Sequence, residues 1–284
     1  MTEFFFDLMN FSFLKYALAA GLLASIACGI IGSYVVTRRI TYIAGAIAHS
    51  VLGGMGAARY CEVVLGWGWF HPLIGATAAA LISAVIIGLV SLRARQREDT
   101  VIGAVWAIGM AAGIMFIFKT PGYNENLMSY LFGNILMVTQ ADIWLMAGLD
   151  LLIIVLVLVF YHKFLAVCFD EEFALLRGVR VEVYYLLLLC LTALTVVLML
   201  SVVGIVMVIA LLTLPPATAG YFSKRLGGMM MLSMLFSALF TTGGLAISYG
   251  PGLPTGATII LLAGAVYLSV VFIVRIANSR SRVS

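Results

Sequence analysis

An all-α, polytopic bundle of transmembrane helices is the fold that this 284-residue sequence predicts. Three observations carry the prediction. Hydrophobic residues make up 64% of the chain and charged residues only 10%, against roughly 45–50% and about 25% in a soluble domain. A water-soluble fold has no interior large enough for that excess, but a bilayer accepts it. The apolar residues fall into about nine runs, each near the length of roughly 20 residues that a spanning helix needs. Basic clusters follow every second run, which is the charge pattern of cytoplasmic loops.

The runs cover 14–36, 40–60, 73–92, 101–118, 143–161, 183–200, 203–222, 227–248 and 257–274. The sixth and seventh are nearly continuous, with only Ser201 and Gly204 between them. Eight spans and one re-entrant segment therefore satisfy the pattern as well as nine spans. The first run follows a stretch that is acidic before it is basic, the reverse of a cleaved signal peptide. It ends on Arg38 and Arg39; the third ends on Arg93, Arg95 and Arg97, and the fifth on Lys163, Arg177 and Arg180. The seventh ends on Lys224 and Arg225, and the ninth on Arg275, Arg280 and Arg282. The opposite loops hold almost no basic residues, only Arg59 and Lys119 falling near that face, with Trp67, Trp69 and Phe70 as interfacial aromatics. The C-terminus is accordingly expected in the cytoplasm and the loop 62–72 outside, with the N-terminus outside if nine runs span. No linker composition divides residues 1–284, so one transmembrane domain is expected.

Two connections exceed a turn. The outer stretch 119–142 opens on a Thr-Pro-Gly-Tyr turn signal and then becomes half apolar, which predicts a partly inserted hairpin or a short helix at the outer surface, acting as gate or docking face. The cytoplasmic stretch 162–181 is the most charged internal segment. Within it, Asp170 is placed to cap a short helix with Glu171 and Glu172 in its first turn, and Gly178 is placed to end it, so the helix is expected at about 170–178.

Few residues offer chemistry. His49 lies mid-span, where an ionisable group should face protein or water rather than lipid. Gly45, Gly53 and Gly56 share its helical face. A glycine stripe bearing one imidazole marks a close helix contact or the lining of a path, so His49 reads either as a metal ligand or as a histidine bonded to a neighbouring helix. Asp150, about 12 Å inside the fifth run at ~1.5 Å per residue, lines a path or, by preference, braces a helix end. Pro215 and Pro216 remove two backbone donors and are expected to break their helix, as a hinge or as a static kink, with Thr213 and Thr218 available to satisfy freed carbonyls. Gly109 and Gly113 form a GxxxG pair suited to helix packing. The four cysteines are scattered, without a CxxC pair. Neither a phosphate-binding GxxxxGK[S/T] loop nor an HExxH or GxSxG motif occurs, so neither ATP binding by that loop nor hydrolysis is expected of this chain. The net charge of +4 sits in the loops and points to the membrane surface, not to nucleic acid.

Four segments carry a resemblance to a known family. Arg38-Arg39 followed by Tyr42–Gly53 is similar to the motif GDALSHAVLPG, and Leu127–Leu136 to LxSYLFGDIL. Asp170-Glu171-Glu172-Phe173-Ala174 with Gly178 is similar to D-x-E-x-A-x-x-x-G, and Ala210–Ala219 to ALLxxPAATA. In this order the chain resembles the permease subunits of bacterial ABC importers for divalent metals, of the metal-chelate and vitamin B12 type. The resemblance implies a homodimer in the bacterial cytoplasmic membrane and two cytoplasmic ATP-binding subunits that hold ATP and Mg. It also implies an external metal-binding delivery protein. It implies a path for zinc, manganese or iron between the two copies, with His49 as a transient metal contact beside Gly45 and Gly53. Asp170, Glu171, Glu172, Ala174 and Gly178 would couple to the ATPase. Where the family carries an acid one turn before the histidine, this chain has Gly45. Loss of the carboxylate leaves a softer site and tilts the expectation to zinc, then manganese, then iron. The family's proline in that motif is replaced here by Gly53. The rival expectation is a proton- or sodium-coupled secondary carrier with Asp150 as its coupling acid.

Overall fold

The computed structural model describes residues 7–8, 10–93, 98–121, 133 and 135–280. Among the described residues ten α-helices follow one another: α1 (Ser12–Thr37), α2 (Thr41–Val64), α3 (Pro72–Arg93), α4 (Glu98–Lys119), α5 (Gln140–Phe169), α6 (Glu171–Leu176), α7 (Val181–Val203), α8 (Ile205–Phe222), α9 (Leu226–Tyr249) and α10 (Thr255–Arg280). A one-turn 3-10 helix, Ile135–Met137, precedes α5. Eight of the helices are long and apolar enough to cross a bilayer. The ninth long helix, α2, is about 36 Å long at ~1.5 Å per residue, but His49, Arg59, Glu62 and its glycines lower its hydropathy. It is held between α3 and α4, which cover the surface that lipid would otherwise meet.

Small side chains set the packing. Ala17, Ala20, Ala24 and Ala27 of α1 are fully buried, and this ridge lets α5, α8 and α9 close around α1. The contact between α2 and α4 is made by facing glycines. A methyl group on Gly53 would lie 2.8 Å from the carbonyl oxygen of Gly109, and one on Gly56 would lie 2.9 Å from that of Gly113. At the periphery, α4 and α10 turn Phe118, Leu261, Leu268 and Phe272 outward, as helices facing lipid or another copy do.

The two ends of the bundle are distinct. At one end Arg38, the residue that caps the end of α1, pairs with Glu171 and donates to the Val167 carbonyl at 2.9 Å, with its guanidinium 5.2 Å from the Tyr185 ring centre. Ser91 of α3 lies 3.2 Å from the Tyr185 hydroxyl, and Thr37 bonds Met229 of α9. The basic residues after α1, α3, α5 and α8 thus share one end. At the other end Tyr249 donates to Asp7 at 2.9 Å. The start of α1 is therefore opposite the basic end, which is the arrangement that nine crossings require. By the charge rule the basic end is cytoplasmic.

Several boundaries differ from expectation. The fifth span starts at Gln140, where Thr139 and Asp142 cap it reciprocally, and runs to Phe169 instead of ending at 161, because no breaker interrupts it before Asp170. The helix expected at about 170–178 is Glu171–Leu176. Most plainly, Pro215 and Pro216 do not break α8, which continues through both to Phe222. The two missing donors leave the carbonyls of Leu211 and Leu212 without their usual partners. The threonines do not serve them: Thr213 donates to Ile209 and Thr218 to Leu214, each at 2.8 Å. Instead the Leu212 carbonyl lies against Gly32 of α1, where any side chain would collide with it and with the Pro216 ring. The break in this region falls at Gly204, whose φ of 79° and ψ of 162° belong to a region that only glycine occupies without strain. Residues 122–132 and 134 of the expected outer gate, and Arg95 and Arg97, lie outside the described residues.

Candidate functional site

His49 stands on the third turn of α2, half-buried, with its ring stacked on the indole of Trp106 of α4. The ring centres are 4.4 Å apart and the planes within 10°. The facing glycines bring α2 and α4 close enough for this contact. The indole N–H donates to the Met110 sulfur at 3.1 Å, so the ring that supports His49 is itself held. Neither imidazole nitrogen has a hydrogen-bond partner among the described residues, which leaves the donor atoms of His49 uncommitted.

The three glycines on its face differ in setting. Gly53 and Gly56 are filled against Gly109 and Gly113, so helix packing by itself accounts for them. Gly45 is buried, yet a methyl group built there meets nothing within 4 Å. Space for a side chain thus exists one turn before His49. Among the described residues no three His, Cys, Asp or Glu side chains come together to hold a metal.

At the cytoplasmic end Asp170 accepts from the Phe173 N–H at 2.9 Å and caps α6, with Glu171 and Glu172 in the first turn. Gly178 has φ +74° and donates to the Leu175 carbonyl at 2.9 Å, ending the helix in the left-handed conformation natural to glycine. Ala174 is buried, whereas Phe173, Leu175 and Leu176 are exposed. Helix α6 thus rests on the bundle by one small residue and offers a mostly apolar outer surface. Arg38 fastens it to α1 and α5. The sequence marked Arg38 as a topology signal and as part of a motif, but not as the anchor of α6, because its three partners come from distant parts of the chain. Trp106 was missed for the same reason.

The remaining candidates lie apart from these two places. Asp150 is 4% exposed, on the face of α5 that meets α1 beside Ala27 and Cys28, and neither carboxylate oxygen has a hydrogen-bond partner among the described residues. Pro215 and Pro216 are buried in α8 against α1.

Comparison with known proteins places these features in a family. The family model described as ABC 3 transport family matches residues 10–274. The chain is 44% identical over 268 residues to the uncharacterized membrane protein slr2045 of Synechocystis, covering 94% of this chain and 93% of that one. It is 34% identical over 267 residues to the manganese transport system membrane protein MntC of Halalkalibacterium halodurans, covering 94% and 89%. Among solved structures it is similar to PsaBC from Streptococcus pneumoniae in complex with Fab, with a TM-score of 0.82 and 31% identity over 95% of this chain and 94% of that one.

Proposed function

Since this chain belongs to the ABC 3 transport family, we propose that it is the permease subunit of an ATP-driven importer of divalent metal ions, with zinc ahead of manganese and iron as the cargo. It is a multi-span protein of the bacterial cytoplasmic membrane. The observation that carries the reading is the uncommitted imidazole of His49, stacked on Trp106 and next to the open position at Gly45.

One imidazole from each of two copies gives an ion a pair of ligands, too few to trap it. A transit site must bind and then release, so a weak ligand set suits conduction. Imidazole without carboxylate favours zinc over the harder manganese. The name of the relative MntC supports manganese as the second reading. The delivery protein docks on the outer face, two ATP-binding subunits engage α6, and hydrolysis belongs to them. Arg38 ties α6 to α1 and α5, so a displacement of α6 is carried into the bundle. The outer segment 119–142 is the gate and docking face in this scheme. Family membership weighs against a self-sufficient carrier coupled through Asp150.

The test is uptake by the reconstituted complex with zinc, manganese and iron in competition. His49→Ala is expected to reduce uptake at least tenfold while assembly and ATPase docking persist. Gly45→Asp, for which the fold has room, is expected to move preference toward manganese. Normal transport by an assembled His49→Ala complex would remove the histidine from the path. An unchanged metal preference in Gly45→Asp would refute the argument from ligand hardness.

A further inference from the structure

Between the cytoplasmic end of α5, helix α6 and the turn joining α8 to α9 lies a groove of about 620 Å³. This is within the range of roughly 300–1,000 Å³ typical of small-molecule sites. Its body is apolar, built on Leu165, Phe169 and Phe173, with Phe169 64% and Phe173 50% exposed. One side is basic: Lys224 and Arg225 line it, both exposed and neither ion-paired among the described residues. Ser223 fixes the turn that presents them, donating to the Arg225 carbonyl at 3.0 Å and accepting from the Arg225 N–H at 3.3 Å. The one carboxylate in the lining, Asp170, is engaged in capping α6. The first turn of α9 holds no acid.

An apolar body flanked by two uncompensated cations is complementary to one kind of molecule, an amphiphile with an anionic head. A small soluble anion would leave the body unfilled, and a neutral chain would leave the cations unmatched. The groove also lies at the basic end of the bundle, which the charge rule makes cytoplasmic, and anionic lipids of that leaflet attract basic side chains near the membrane surface. We propose that it is a binding site for an anionic phospholipid of the cytoplasmic leaflet, with the phosphate between Lys224 and Arg225 and an acyl chain along Leu165, Phe169 and Phe173. A lipid seated there touches α6 through Phe173, so its occupancy bears on the helix that Arg38 ties to the bundle. The inference stands independently of the cargo and of the role of His49.

The experiment uses the full-length chain in neutral detergent, titrated with phosphatidylglycerol and with phosphatidylcholine of the same acyl chains, and read by native mass spectrometry and thermal midpoint. Phosphatidylglycerol is expected to bind at least tenfold more tightly. Removing both cations, Lys224→Gln with Arg225→Gln, should weaken it about thirtyfold, from roughly one kcal/mol per basic side chain. The lipid-free midpoint should be unchanged, because both side chains are exposed. Leu165→Trp, which fills the body, should weaken both lipids while the cations remain. Equal binding of the two lipids, or no loss in the double variant, would overturn the proposal. Competition by millimolar inorganic phosphate would make this a small-anion site. Displacement of the lipid by added ATP-binding subunit would make it a protein-docking surface. Either result would overturn the proposal too.

Discussion

His49 owes its placement to a partner from another helix. Its ring is fixed by stacking on Trp106, and Trp106 by its bond to Met110. An aromatic pair of this kind contributes about 0.5–1.5 kcal/mol, so losing it should cost orientation more than fold. Trp106→Ala is expected to raise the KM for metal uptake up to about tenfold, with a smaller effect on maximal rate and with the complex intact. Trp106→Phe retains a ring and should recover most of the loss. Uptake kinetics of the two variants decide the point. If Trp106→Phe and Trp106→Ala are equally impaired, stacking is not what positions the imidazole. The open position at Gly45 works in the opposite sense, as a site with room for a side chain and none present.

At the scale of elements, α6 is the clearest case of local sequence and distant contacts acting together. Asp170 and Gly178 define its ends, but a six-residue helix does not hold itself in place. Arg38 supplies the attachment, with side-chain exposures of 20% for itself and 30% for Glu171. A partly exposed ion pair contributes about 0.2–1 kcal/mol. A hydrogen bond from a charged group, as to the Val167 carbonyl, contributes about 1.5–3 kcal/mol. Arg38→Ala is therefore expected to destabilise the chain by about 2 kcal/mol, and Glu171→Ala by less than about 1 kcal/mol. The double variant should show a coupling no larger than the smaller effect. A double-mutant cycle on thermal unfolding measures all three. Equal losses from the two single variants would show that the Val167 contact contributes nothing.

Over the whole molecule, the contacts at the two ends set the orientation of every helix. Arg38, Val167, Glu171 and Tyr185 meet at one end, and Asp7 meets Tyr249 at the other. Cysteine accessibility tests this directly. Gly68 lies in the exposed aromatic turn between α2 and α3 with free space around it, and Leu176 on α6 is 87% exposed. In a background with Cys61 and Cys190 replaced, Gly68→Cys should react with a membrane-impermeant thiol reagent in intact cells. Leu176→Cys should react only after permeabilisation. The reverse pattern would invert the topology and move His49 to the other half of the path.

The sequence by itself determined the class of fold, the long helices and the gathering of basic loops at one end, because bilayer burial and loop charge act on composition within short windows. It also determined the caps of α6, since Asp170 and Gly178 act on backbone groups three residues away. The metal-importer reading rested on motif order along the chain, which needs no coordinates. Only the tertiary structure decided what each special residue touches. Gly53 and Gly56 face Gly109 and Gly113, Arg38 serves α6, and His49 rests on Trp106. The prolines are the sharpest instance. By local rules Pro215 and Pro216 should break α8, yet the helix continues, with Gly32 of α1 laid against a freed carbonyl. The break falls at Gly204, which looked like weak punctuation in the sequence. Helix continuity and the role of a glycine depend on which neighbour fills the space beside them. In this chain those neighbours come from other helices, beyond the reach of any local pattern.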